Sequence, residues 1–167
     1  MTAFRKSFAT IRNTAILGLS ALALLACADS SPASIDMALP ESLSTAFPAH
    51  DVPFSNVERG RLERATRHVF DHYGEELPDH SEYEAMLRTG ERLEDLAPAV
   101  EEALGGGWTR ERGMPTLREA EIISFVRSNS DGSSNARVIF VSVPSEGSEA
   151  LFQPTRIISS APIEGLK

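Results

Sequence analysis

The residues from Thr14 to Ala26 carry no charge, are dominated by Leu and Ala, and end on the chain's single cysteine, Cys27. Ahead of them, Met1–Arg12 holds Arg5, Lys6 and Arg12 and no acid. A basic start, a short apolar core and small residues before a cut form the pattern of a secretory signal. The core is shorter than the ~20 residues that span a bilayer. The consequence for the fold is direct. With one cysteine, no disulfide can form within the domain, so the fold must rest on its apolar core.

The end of the apolar core, Leu24-Leu25-Ala26-Cys27, resembles the lipobox of bacterial lipoprotein precursors, with Leu25 larger than the usual second residue. The resemblance covers residues 1–27. It implies that residues 1–26 are a lipoprotein signal peptide, that Cys27 is lipidated on sulfur and becomes the mature N-terminus, and that its nitrogen is then acylated. Two or more acyl chains anchor stably where one does not. The alternative is an ordinary signal peptide cut after Ala23 or Ala26, which leaves Cys27 a free thiol. An unpaired cysteine in a secreted protein calls for an explanation, and lipidation supplies one. Ala28, not an acid, follows Cys27. In enterobacterial lipoproteins this points to the outer membrane, facing the periplasm. The alternative is the outer leaflet of the cytoplasmic membrane.

Residues 1–26 hold three of the chain's 16 basic residues and none of its 24 acids, which leaves thirteen cations against 24 acids, a net of −11. Readers of nucleic acid carry a basic footprint, so nucleic acid is excluded as a partner. Residues 27–54 contain four prolines among many Ser and Ala, the composition of an extended, flexible tether. Ile35, Met37, Leu39, Leu43, Phe47, Val52 and Phe54 are more apolar than a spacer requires, so part of this segment is expected to dock.

Residues 55–167 form the domain. Ser55-Asn56-Val57-Glu58 fits a capping box and predicts a helix over Asn56–Tyr73, with Leu62, Ala65, Val69 and Tyr73 as its apolar stripe and a left-handed Gly74 ending it. Asp79-His80-Ser81-Glu82 suggests a second cap, and Tyr83 and Leu87 a short helix ending near Gly90. A third helical segment is expected over Glu91–Leu104, interrupted at Pro98 and closed by Gly105-Gly106-Gly107. Trp108 is expected where helices meet sheet. Ile122, Ile123, Phe125 and Val126 favour a strand, with a helix over Leu117–Arg127 as the alternative. Arg137–Val143, apolar on both faces, reads as a central strand. Leu151–Ser159 reads as an edge strand because of Pro154. The expected fold is therefore α+β, with N-terminal helices packed on a three-stranded antiparallel β-meander.

No catalytic motif is present. There is no G-x-S-x-G, and the triple glycine lacks the Lys-Ser/Thr of a phosphate loop. Glu75-Glu76 and Glu101-Glu102 are adjacent acids of a kind common on surfaces. His68 and His72 lie four apart on the first helix, a spacing that can hold zinc given a third ligand. Val69 stands where H-E-x-x-H needs glutamate, and two solvent-side histidines are the plainer reading. Arg59, Arg61, Arg64 and Arg67 form a row that suits an acidic partner, or a solvated helix face with Glu neighbours.

The order of anchor, tether, helices and meander is similar in layout to small envelope-assembly lipoproteins of the BamE/SmpA-OmlA kind; no motif aligns and no residue role transfers. The expectation is a non-enzymatic, membrane-anchored, periplasm-facing module that binds another envelope protein and needs no cofactor. The alternatives are a small-ligand or metal-binding module, or an inhibitor of an envelope-damaging hydrolase.

Overall fold

The computed structural model describes residues 34–45, 54–77, 79–113, 117–145 and 150–166. In chain order they form β1 (Leu43–Ser44), α1 (Asn56–Tyr73), a 3₁₀ turn (Gly74–Glu76), β2 (Ser81–Arg88), α2 (Leu93–Leu104), β3 (Trp108–Arg110), β4 (Glu121–Ser128), β5 (Ser134–Ser142) and β6 (Phe152–Ser159). The strands make one six-stranded sheet in the order β1-β2-β6-β5-β4-β3. Every neighbouring pair is antiparallel, and the sheet curls into a half-barrel.

This overturns the expected helices on a three-stranded meander. The segment read as a short helix at 81–90 is the strand β2. It pairs along its whole length with β6, from Ser81↔Ser159 to Arg88↔Phe152. Tyr83, Ala85 and Leu87 are buried on one face, while Glu82 and Glu84 alternate with them in exposed positions, the period of two that a half-buried strand requires. With β2 on its outer side, β6 is an interior strand, so no sheet edge is available at Leu151–Ser159. Pro154 is tolerated because the β5–β6 ladder ends at Ser142↔Thr155. Beyond that point Val143 N–H donates to the Pro154 carbonyl at 3.1 Å, and the donor that proline lacks falls past the last paired residue. The segment 117–127, open between helix and strand in the sequence, is largely β4, which begins at Glu121.

One helix covers each face. Because side chains alternate along a strand, β5 sends Ala136, Val138 and Phe140 to one side and Ile139, Val141 and Val143 to the other. The first set packs with Leu93, Ala97, Val100 and Leu104 of α2 and with Phe125, Ile157 and Trp108. The second packs with Leu62, Ala65, Val69 and Tyr73 of α1 and with Ile158.

The α1 capping box is present: Glu58 N–H donates to Ser55 Oγ at 3.1 Å, and Ser55 N–H donates to Glu58 Oε2 at 2.7 Å. Gly74 is right-handed, with φ −54°, and the chain tightens into the 3₁₀ turn instead of reversing through a left-handed residue. α2 runs through Pro98 without a break and stops at Gly105, whose φ of 79° disfavours any side chain. The residue that would lose its hydrogen bond to Pro98 is Glu94, whose carbonyl lies in the first turn of the helix.

Residues 34–45 belong to the folded body. Ile35, Met37 and Leu43 are buried in the α2-side cluster. Ile35 forms a parallel bridge with Ile163, with Ile35 N–H on the Pro162 carbonyl and Glu164 N–H on the Ile35 carbonyl, both at 2.8 Å. Leu43 and Ser44 pair with Leu87 and Met86 at the outer edge of β2.

Candidate functional site

Charged side chains gather on the α1 side of the sheet, and the register explains why. Arg137 lies on the same face as Ile139 and Val141, but nearer the end where α1 finishes. Its side chain is 4% exposed. A buried guanidinium must find partners. Arg137 donates to Glu76 of the 3₁₀ turn and to Glu111 just beyond β3, with Ser124 Oγ of β4 at 3.4 Å. Its guanidinium carbon sits 4.1 Å from the centre of the Tyr73 ring, a cation–π arrangement. The Tyr73 hydroxyl donates to Glu111 Oε2 at 2.8 Å. Burial pushes the Tyr73 hydroxyl well above its ordinary value of 10.0, and the Glu111 carboxylate beside it adds to the shift. The cluster ties the end of α1, the turn after it and strands β4 and β5 into one unit.

Beside this cluster lies an open cleft of about 600 Å³ lined by Glu75, Glu76, Asp79, Asn135, Arg137 and Ser160 among others. A second, of about 710 Å³, is lined by Glu94, Glu101, Arg110, Glu111 and Arg112 among others. In each, a cation is already engaged: Arg137 with Glu76 and Glu111, and Arg110 with Glu94. The Arg110 pair holds the Glu94 carboxyl below its ordinary value. The exposed acids on the rim of the first cleft, Glu75 and Asp79, suit a cationic group arriving from outside.

The arginine row on α1 divides in two. Arg64 makes a double hydrogen bond to Glu119, both arms at 3.1 Å, and Arg61 lies 4.0 Å from the same carboxylate. Glu119 is held below its ordinary value by its hydrogen bond from Arg64. These two arginines fasten α1 to the turn before β4. Arg59 and Arg67 are exposed and have no ion-pair partner among the described residues. Nearby, Arg156 of β6 reaches up to Glu63 of α1 at 2.7 Å and across to Glu82 of β2 at 3.2 Å.

His68 is half-buried, and its Nε2 is enclosed without a hydrogen-bond partner. His72 is exposed and packs edge-on to Tyr73, with ring centres 4.4 Å apart. Among the described residues, no group of three His, Cys, Asp or Glu could hold a metal ion. Cys27 and the lipobox lie outside the described residues. No helix among the described residues is long and apolar enough to cross a membrane.

Sequence reasoning missed the Arg137 cluster. The signal was a lone arginine opening an otherwise apolar strand, where an unpaired charge would be costly. Its partners stand 61 and 26 positions away, and local spacing does not reveal them. No protein-family model, curated protein or solved structure matches this chain.

Proposed function

We propose that this protein is a membrane-anchored lipoprotein of the cell envelope, facing the periplasm, whose domain works as a non-enzymatic protein-interaction module. The observation that carries the reading is the docking of Ile35 into the core. A buried point of the fold therefore lies eight positions after the candidate lipidation site. An anchor at Cys27 then holds the domain near the bilayer, where envelope partners are found.

Two further features support an interaction role. Arg137 in the first cleft and Arg110 in the second are engaged by acids of the same fold, an arrangement that builds structure. The exposed cations Arg59 and Arg67 stand on the outer side of α1 in an otherwise acidic chain, ready for a carboxylate-bearing partner.

The test has two arms. Metabolic labelling with a clickable fatty acid should mark the full chain and not its Cys27→Ala variant. Photo-crosslinking probes at Arg59 and Arg67 in living cells should capture a discrete envelope protein. A chain without fatty acid removes the anchor. Silence at both probes in a lipidated, folded protein removes the α1 contact.

The acidic rim of the first cleft favours a second reading, in which the domain inhibits a basic hydrolase that damages the envelope. Excess domain should then suppress lysozyme-type enzymes, with the effect weakening as salt rises. Full activity across a panel of such enzymes eliminates this reading.

A further inference from the structure

We infer that residues 34–44 act as a strap that sets the orientation of the domain on its membrane, with the α2 face toward the bilayer and the α1 face toward the aqueous compartment. The inference rests on the proposal that Cys27 is lipidated, and it follows from where the strap is fastened and how little chain precedes it.

Ile35 is a fixed point of the fold. Its backbone is held on both sides, by the Pro162 carbonyl and the Glu164 N–H, each at 2.8 Å. Ser34 Oγ adds a bond to Glu164 at 2.6 Å. The turn that holds Ile35 is itself pinned, because Ile163 N–H donates to the Tyr83 hydroxyl at 2.7 Å. Ile35, Met37, Tyr83 and Ile163 all belong to the cluster beneath α2, on the opposite side of the sheet from α1.

The lengths decide the orientation. Seven residues lie between Cys27 and Ile35, and the eight residue-to-residue steps span at most ~28 Å whatever their conformation. A domain of about 130 residues has a radius of gyration near 14 Å, or roughly 36 Å across if treated as a uniform sphere. The leash is shorter than the body it holds. Ile35 therefore cannot lie at the pole of the domain farthest from the bilayer, and a leash this short favours orientations that bring the α2 side, where Ile35 is fastened, toward it. Were the chain free up to α1, the leash would exceed twice the domain's diameter by the same count, and no orientation would be excluded.

Adhesion does not produce this orientation. The α2 helix exposes Glu94, Asp95 and Glu102, which anionic lipid would repel. The geometry holds the domain at a short standoff and leaves Arg59 and Arg67 on the outward side.

The experiment uses the full chain, purified from bacterial membranes and placed in vesicles whose headgroups carry a nickel chelate. Nitroxide labels are introduced one at a time through Glu102→Cys on α2 or Arg67→Cys on α1. Relaxation of the label by nickel should be several-fold stronger at position 102 than at position 67. Inserting twelve Gly/Ser residues between Ser31 and Pro32, ahead of Ile35, should erase the difference. Equal relaxation at the two sites, stronger relaxation at 67, or a difference that survives the insertion would each overturn the strap. Intact mass and vesicle flotation report the anchor separately. Protein that carries lipid and floats but shows equal relaxation sinks the strap alone, and protein without lipid sinks both readings.

Discussion

Arg137 shows what a single buried charge requires of a fold. Its stem is enclosed between strands, and its head is met by two carboxylates, a hydroxyl and an aromatic face. Removing the charge leaves the Glu111 carboxylate in a half-buried site with only Tyr73 to donate to it. Arg137→Met, which keeps the stem, should lower unfolding stability by about 3 kcal/mol, the lower end for breaking a buried pair, because Glu76 remains half-exposed. Urea denaturation checks this: the midpoint should fall with the slope unchanged. Glu76→Gln should cost under ~1 kcal/mol, as expected for a partner that water can replace. Tyr73 gives a pH prediction from the same cluster. Its hydroxyl holds its proton more tightly in the folded state than in the unfolded chain, where it titrates near 10.0. The stabilisation is fully present below that pH and is lost as pH rises above it, since the unfolded state then releases the proton first. The chain has two tyrosines. Ultraviolet titration should show Tyr73 resisting ionisation until the protein unfolds in alkali, and Glu111→Gln should bring its ionisation to lower pH.

At the scale of elements, α1 depends on its first turn. Ser55→Ala should cost about 1 kcal/mol, as for other N-cap losses. Glu58→Ala should cost more, near ~2 kcal/mol. Glu58 is buried, and besides closing the cap its Oε1 accepts from Ser145 Oγ at 2.7 Å. Thermal unfolding of the two variants should rank them in that order. The same element was legible in the sequence, because Ser55, Glu58 and the stripe Leu62, Ala65, Val69 and Tyr73 all signal one helix within one stretch. β2 was not. Glu84, Ala85, Met86 and Leu87 are good helix formers, and the Tyr83–Leu87 spacing fits a helix face. The competing signal, Tyr83, Ala85 and Leu87 alternating with Glu82 and Glu84, gains its force from β6, a strand some 70 residues away. Pairing partners at that distance leave no local trace, and tertiary context then overrides propensity. Pro154 misled for the same reason. Its position relative to the end of the β5 ladder is a property of the pair of strands. Of the surface features, the arginine row was legible as a helix periodicity, but the division into two engaged and two exposed arginines depends on Glu119, which belongs to another element.

For the whole molecule, the sheet makes the two apolar clusters one cooperative unit. Successive residues of β5 and β6 belong to opposite clusters: Phe140 and Ile157 to the α2 side, Ile139 and Ile158 to the α1 side. Neither helix can lose its support without exposing the other's. The strap joins this unit through Met37, which is 4% exposed, so its effect should reach beyond its own face. Met37→Ala should destabilise the protein by about 2–3 kcal/mol through the lost burial and the cavity left behind. The loss should appear equally in every probe. Trp108, the chain's single tryptophan, reports the α2 side by fluorescence. Hydrogen exchange over Leu62–Val69 reports the α1 side. Both should follow far-UV circular dichroism through one transition, before and after the substitution. Refolding should be slow, in the range of milliseconds to seconds, because β2 reaches β6 only after closing a long loop. An α1 side that kept its protection while Trp108 fluorescence had already changed would show two separable layers, and the strap would then stabilise only the layer it touches.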